Sequence, residues 1–246
     1  YKRDQEELLV RAGDKEIITH VDPILERFRR QEYYRRRWGV WFMNDGEPTY
    51  LTGHHYWYVQ HCKYDHKDNG GYPFYYEFSR DAFYFRQWCE ENPKSLGYLI
   101  VGPRGTGKTN EELACISNNI LIKRDSRAAL QSKGFENDAV PLIFQGKLVP
   151  LFNSLLDIFK PQFSHGTAPV DTMTFKRSSK RGRPAQDFKF GKELELNSVI
   201  YAVRPGEKVL DGETMSEVLE DEVGKTDPTV SNIYKRHEAQ RGKPLP

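Results

Sequence analysis

Three groups of residues have the types and spacing to do chemistry. The first is Gly102-Pro103-Arg104-Gly105-Thr106-Gly107-Lys108-Thr109, which fits G-x-x-x-x-G-K-[ST] at every fixed position. A glycine-rich turn of this kind aims backbone N–H groups at an anion. Lys108 brings an ammonium to the β- and γ-phosphates, and the Thr109 hydroxyl can ligate Mg²⁺. The second group is Glu220-Asp221-Glu222. Asp221 is suited to hold Mg²⁺ through water, and Glu222 to act as the base that activates an attacking water. Val209-Leu210-Asp211-Gly212-Glu213 competes for this role, but adjacent carboxylates at a strand end supply both functions, which favours Asp221 and Glu222. The third group is the run from Lys176 to Arg183, with five cations in eight residues. It is either a solvated loop or a surface on which Lys176, Arg177, Lys180, Arg181 and Arg183 meet a DNA backbone and release its counterions.

These residues need elements to hold them. Tyr98-Leu99-Ile100-Val101 reads as a buried parallel strand entering the glycine loop. Leu113, Ile116, Ile120 and Leu121 follow at helical spacing, so a helix is expected to point its positive N-terminal end at the loop. Ser216–Val223 reads as the acidic strand, with Glu217 and Glu220 interrupting its apolar run. Ala128–Gln131, Thr172–Phe175 and Val199–Val203 are further strand candidates. Strands alternating with helices predict an α/β protein with a mainly parallel sheet flanked by helices.

Upstream, Asp22-Pro23 is a helix start, with Ile24, Leu25 and Phe28 on an apolar side. Arg27, Arg29, Arg30, Arg35, Arg36 and Arg37 make the helix basic; a solvated face with arginines paired to glutamates is favoured over a partner surface. Val40–Phe42 and Thr49–Leu51 flank Asn44-Asp45-Gly46 as a hairpin, and Thr52 caps the next helix. His54, His55, His61, Cys62 and His66 match no standard zinc-ligand spacing and read as packed or surface residues. Residues 72–92 are rich in aromatics, and Phe78, Arg80 and Asp81 open a helix there. These aromatics either fill a core or, with Arg80, stack on a nucleotide base. Residues 135–160 read as mainly helical, interrupted by Pro141 and Pro150, with Leu151, Phe152, Leu155, Leu156 and Phe159 as a core stripe.

The 246 residues suffice for one large domain or two small ones. The net charge of +2 says little about nucleic acid, so local clustering carries that question. No apolar run approaches the ~20 residues that span a bilayer. Cys62, Cys89 and Cys115, widely spaced and odd in number, suggest reduced thiols rather than a disulfide scaffold. The chain opens at Tyr1 without a methionine and closes in a polar stretch at Pro246, as expected of part of a longer protein.

Four segments together resemble the ATPase domain of large terminase subunits, the DNA-packaging motors of tailed double-stranded DNA phages. They are the Gly102–Thr109 loop with Arg104 inside it, Phe78-Ser79-Arg80-Asp81 like an adenine motif, Leu210-Asp211-Gly212-Glu213 leading to Leu219-Glu220-Asp221-Glu222 like the approach to a Walker B strand, and Leu51–Tyr56 like a segment preceding the motor core. The resemblance spans about residues 50–230. It implies a P-loop NTPase over residues 72–246, preceded by a helical and hairpin extension over 1–71. ATP and Mg²⁺ are the implied cofactors. Gly102, Pro103, Arg104, Gly105, Thr106, Gly107, Lys108, Thr109, Asn110 and Arg80 would contact nucleotide, Thr109 and Asp221 the metal, and Glu222, Arg104 and Lys108 would be catalytic. The implied partners are double-stranded DNA, identical subunits in a ring, a capsid portal and a small terminase subunit, with no membrane, in the host cytoplasm. Ser79 departs from the motif's usual glutamine. A coupling motif after Glu222 and a nuclease-type acidic cluster are not found, so the motor part alone is expected. A helicase or other DNA translocase uses the same nucleotide fold, and a nucleotide-gated interaction module with little turnover would share the loop.

Overall fold

The computed structural model describes residues 23–64, 71–95, 97–103, 105–132, 143–161, 163–164, 168–175, 196–203 and 214–221. The chain is a mixed α/β structure. Helix α1 (Pro23–Trp38) leads into a hairpin of β1 (Val40–Asn44) and β2 (Glu47–Leu51), then α2 (Gly53–His61) and α3 (Glu77–Glu91). Helix α4 (Lys108–Ile122) follows the glycine loop and turns into β3 (Arg127–Ser132). A π-helical turn over Phe144–Leu148 runs into α5 (Val149–Ser154), a 3-10 turn covers Asp157–Phe159, and β4 (Thr172–Phe175), β5 (Ser198–Val203) and β6 (Glu217–Asp221) complete the described elements.

The main sheet has the order β4-β5-β3-β6. β3 pairs in parallel with both β5 and β6, while β4 lies antiparallel on β5. The mainly parallel sheet expected from the sequence is therefore present, with one antiparallel edge. The hairpin turns through Asp45 and Gly46, both at positive φ, with Asn44 opposite Glu47, as a two-residue turn requires. Thr52 caps α2 by accepting from the His55 amide at 3.2 Å.

Helix α4 lies at the centre. It packs on β3, β5 and β6 and also against α1 and α2, and Leu113, Ala114, Cys115, Ile116 and Ile120 are buried along it. One buried apolar cluster joins Phe28, Leu51 and Trp57 with Leu113, Leu130, Phe152 and Ile200, so the core is continuous across residue 71. The three cysteines are free and buried. No described helix is long and apolar enough to cross a membrane.

Three local expectations change. Tyr98–Val101 forms no strand: Leu99 is 70% and Val101 86% exposed. An apolar run supplies strand side chains, but a strand also needs a hydrogen-bonded neighbour, and no described strand pairs with this run. Pro150 does not break its helix. It sits in the first turn of α5, where its missing N–H is harmless, and the preceding π turn closes through the Val149 amide on the Phe144 carbonyl. Ile24 is exposed rather than packed, leaving Phe28 as the described apolar anchor of α1. Pro141 lies outside the described residues.

Gly53 opens α2 against the backbone of α1, where an added Cβ would overlap the Arg36 carbonyl. Gly53→Ala is expected to lose about 1–3 kcal/mol through overpacking. Urea unfolding should show a lower midpoint at an unchanged m-value; a midpoint equal to the parent's would mean the two helices part without penalty.

Candidate functional site

The loop is shaped by glycines at positions that L side chains avoid. Gly105 and Gly107 have φ of 82° and 85°, and Gly107 is the N-cap of α4 without any side-chain cap. The 15-residue helix thus presents its first turn to the loop without a side chain closing it. Lys108 folds back into the loop. Its Nζ donates to the Gly102 carbonyl at 2.9 Å, to the Thr106 hydroxyl at 3.1 Å and to the Pro103 carbonyl. Thr106 donates in turn to the Pro103 carbonyl at 3.1 Å. Thr109 and Asn110 are half-buried in the first turn. The Asn110 carbonyl accepts from the Tyr64 hydroxyl at 2.6 Å, while its Oδ1 is buried without a hydrogen-bond partner. A Cβ at Gly107 would stand 3.4 Å from the Tyr58 hydroxyl, so Tyr58 backs the loop.

The acidic strand is tied to α4 through its first residue, Glu217. Asn119 Nδ2 donates to Glu217 Oε2 at 3.0 Å, which places the last turn of α4 beside the start of β6. The chain reverses between α4 and β3, and β6 runs parallel to β3 with Ser132 opposite Asp221. From that shared point α4 runs eleven residues back to Lys108, about 16 Å. β6 runs four residues forward to Asp221, about 13 Å. β6 thus ends at Asp221 level with Ser132, the last residue of β3. Glu222, Arg104, Asp211, Glu213, Lys176, Arg177, Lys180, Arg181 and Arg183 lie outside the described residues.

The upstream aromatics divide between core and surface. Phe83 is buried, and Tyr75 packs against the core. Phe74, Tyr76 and Phe78 are exposed, the last two stacked with centroids 5.2 Å apart. Ser79 is buried and donates to Glu111 Oε1 at 2.5 Å, pinning the first turn of α3 to that of α4. Burial raises the Glu111 pKa, Ser79 lowers it, and Glu112 raises it. Arg80 is engaged with Asp81 at 3.0 Å.

Several residues that organise this region went unmarked in the sequence. Arg86, only 3% exposed, donates to Glu90 at 3.0 Å and also binds Glu112 on α4 and Glu217 on β6. Tyr98, four residues before Gly102, donates to Glu112 as well. The Arg86–Glu90 spacing of four on a helix was a legible signal. The other partners lie 26 and 131 residues away, beyond any local pattern.

The basic helix also departs from a simple solvated face. Arg35 pairs with Glu32 at 2.6 Å, as expected. Arg36 turns inward, donating to Asn118 Oδ1 at 2.9 Å with its guanidinium 3.9 Å from the Trp57 ring centroid. Burial lowers its pKa to about 9 against the opposing pull of Glu32. The histidines are packing residues. His61 Nε2 meets Glu32 at 2.9 Å, and His54 joins Asn118 and Glu90. His55 stacks between Tyr75 and Phe83, and its pKa is held to about 4 by burial and then by Arg80. Among the described residues no three His, Cys, Asp or Glu side chains converge as a metal site; His66 lies outside them.

Glu90 carries a pH signature. Burial raises its pKa, but His54 and Arg86 outweigh burial and hold the carboxyl down to about 2. Its folded value lies below the ordinary 4.5, so the unfolded chain takes up the proton first as pH falls. The stabilisation is complete above 4.5 and is lost between 4.5 and about 2. The unfolding free-energy difference between the parent and Glu90→Gln should therefore be constant above about pH 5 and shrink below it. A difference that stays constant through acid would show that this carboxylate is not held ionised.

A scan against protein-family models finds no match to this chain, and a comparison with curated proteins finds no relative.

Proposed function

We propose that the chain is an Mg²⁺-dependent ATPase whose nucleotide site is the 102–109 loop, and that it is the motor part of a DNA-packaging machine of the large-terminase kind. The observation that carries the nucleotide reading is Lys108. Its ammonium sits inside a glycine turn, held by two loop carbonyls and a hydroxyl, at the uncapped start of a 15-residue helix. A lysine with no ligand to serve is expected to extend into water. This one is held where a phosphate's oxygens would replace the carbonyls it now satisfies. The packaging reading rests on the sequence segments that resemble terminases.

The donor set suits a metal–nucleotide substrate. The Lys108 ammonium and the first-turn amides of α4 would bind phosphate oxygens, and the orphaned Asn110 Oδ1 offers a further acceptor nearby. Thr109 and Asp221 would hold Mg²⁺, Asp221 through water; the ion would supply positive charge at the phosphates. A Glu222 carboxylate oxygen would take the proton from the attacking water. Arg104 would stabilise charge at the γ-phosphate with a planar fork that lysine lacks. Ser79 is committed to Glu111, which leaves the exposed Tyr76 and Phe78, beside the half-buried Arg80 paired with Asp81, as the groups near which a base could sit. Lys176, Arg177, Lys180, Arg181 and Arg183 are the proposed contacts to double-stranded DNA.

The deciding experiment measures ATP turnover in Mg²⁺ with and without double-stranded DNA. The parent should hydrolyse ATP faster with DNA, and Lys108→Ala should lose hydrolysis at both settings while unfolding at the parent's temperature. Equal turnover in Lys108→Ala would remove the loop from the reaction. Between the acidic candidates, Glu222→Gln should slow single-turnover hydrolysis ~10²–10⁴-fold with ATP binding retained, and Asp211→Asn much less. The opposite ranking would assign the base to the other strand end.

A further inference from the structure

Three segments that carry candidate site residues each contribute one partly buried member to a cluster around Arg86, four residues from the candidate residue. Tyr98 precedes Gly102 by four residues, Glu112 follows Lys108 by four, and Glu217 precedes Asp221 by four. Arg86, from a fourth segment, joins them. Its Nη1 binds Glu112 and its Nη2 binds Glu217, while Tyr98 donates to the same Glu112 oxygen. The second Glu217 oxygen accepts from Asn119 at 3.0 Å, and Nε of Arg86 donates to Glu90 at 3.0 Å.

This arrangement has directional content. The guanidinium is planar, and its two terminal nitrogens serve carboxylates on two different elements, so it sets both the separation and the orientation of α4 and β6. Without it, Glu112 and Glu217 would face one another as partly buried like charges. A chain that needed only a stable core could fill this place with apolar side chains.

We propose that Arg86 is a positioning residue of the nucleotide site: by binding Glu112 and Glu217 at once it holds the strand end that carries Asp221 in register with the phosphate loop. The proposal rests on the ATPase reading above. Arg86 touches neither nucleotide nor metal; it acts through β6. Its loss falls on the metal requirement, because Asp221 is the only one of the described site residues that β6 contributes. Groups that orient metal ligands are commonly worth 10–100-fold in metal affinity.

The test uses Glu217→Gln, which cuts the tie to β6, Arg86→Lys, which keeps the charge but not the fork, and Glu90→Gln, which alters contacts to Arg86 within α3 and to His54 of α2 but leaves Glu112 and Glu217 in place. In each folded variant three quantities are measured: binding of a fluorescent ATP analogue in EDTA, the Mg²⁺ concentration for half-maximal hydrolysis, and amide hydrogen exchange over residues 217–221 without nucleotide. Glu217→Gln and Arg86→Lys should raise the Mg²⁺ requirement about tenfold or more, speed exchange in β6 and leave metal-free nucleotide binding unchanged. Glu90→Gln should match the parent in all three. An unchanged Mg²⁺ requirement in Glu217→Gln overturns the proposal, as does an equal rise in Glu90→Gln, which would make the cluster a general stabiliser. A parent chain with no Mg²⁺-dependent turnover overturns the ATPase reading and the positioning role with it. Exchange in β6 would then still report separately whether Arg86 holds the strand.

Discussion

The fold depends on burying one helix that is not wholly apolar. α4 is enclosed by the sheet and by α1 and α2, yet Glu111, Ser117, Asn118 and Asn119 are buried along it. A buried polar group without a partner costs about 1–3 kcal/mol, so each of these must be met by a neighbour. Four of the neighbouring elements each bring one. Ser79 of α3 meets Glu111, Trp57 of α2 donates to Ser117 at 2.9 Å, Arg36 of α1 meets Asn118, and Glu217 of β6 meets Asn119. The helix that begins at Lys108 is thereby indexed to four elements at once.

The apolar content of the core gives cohesion, while the polar contacts give address. Leu113, Ile116 and Ile120 would pack against many apolar surfaces at similar gain, since burial is non-directional. Hydrogen bonds from Asn118 to the Arg36 carbonyl at 3.0 Å and from Asn119 to Glu217 are satisfied in one register only. The same logic explains the inward turn of Arg36. Its guanidinium lies on the Trp57 ring and bonds Asn118, so a residue from a basic, outwardly solvated sequence becomes part of the core.

The pre-loop segment shows how site and fold pull on one stretch. Leu99 and Val101 have the composition of a sheet interior but stand exposed, whereas Tyr98 is drawn to Glu112 and the Gly102 and Pro103 carbonyls are taken by Lys108. Its described position comes from polar contacts at its two ends rather than from a ladder along its length.

Much of the local structure was legible in the sequence because its causes are local. Asn44-Asp45-Gly46 dictates a tight hairpin because two consecutive residues must take positive φ. Thr52 dictates a helix start because its hydroxyl meets the His55 amide three residues on. The glycine spacing and Lys108 mark the loop, and runs such as Val199–Val203 mark strands of a mainly parallel sheet. Only the tertiary structure decided which apolar run joins the sheet, because pairing requires a neighbour that the run does not contain. It alone sent Arg36 inward and Ser79 to Glu111, and it alone gathered Arg86 with Glu112 and Glu217. Those partners are up to 131 residues apart, and no periodicity in the chain records a contact made only after the helix between them is buried.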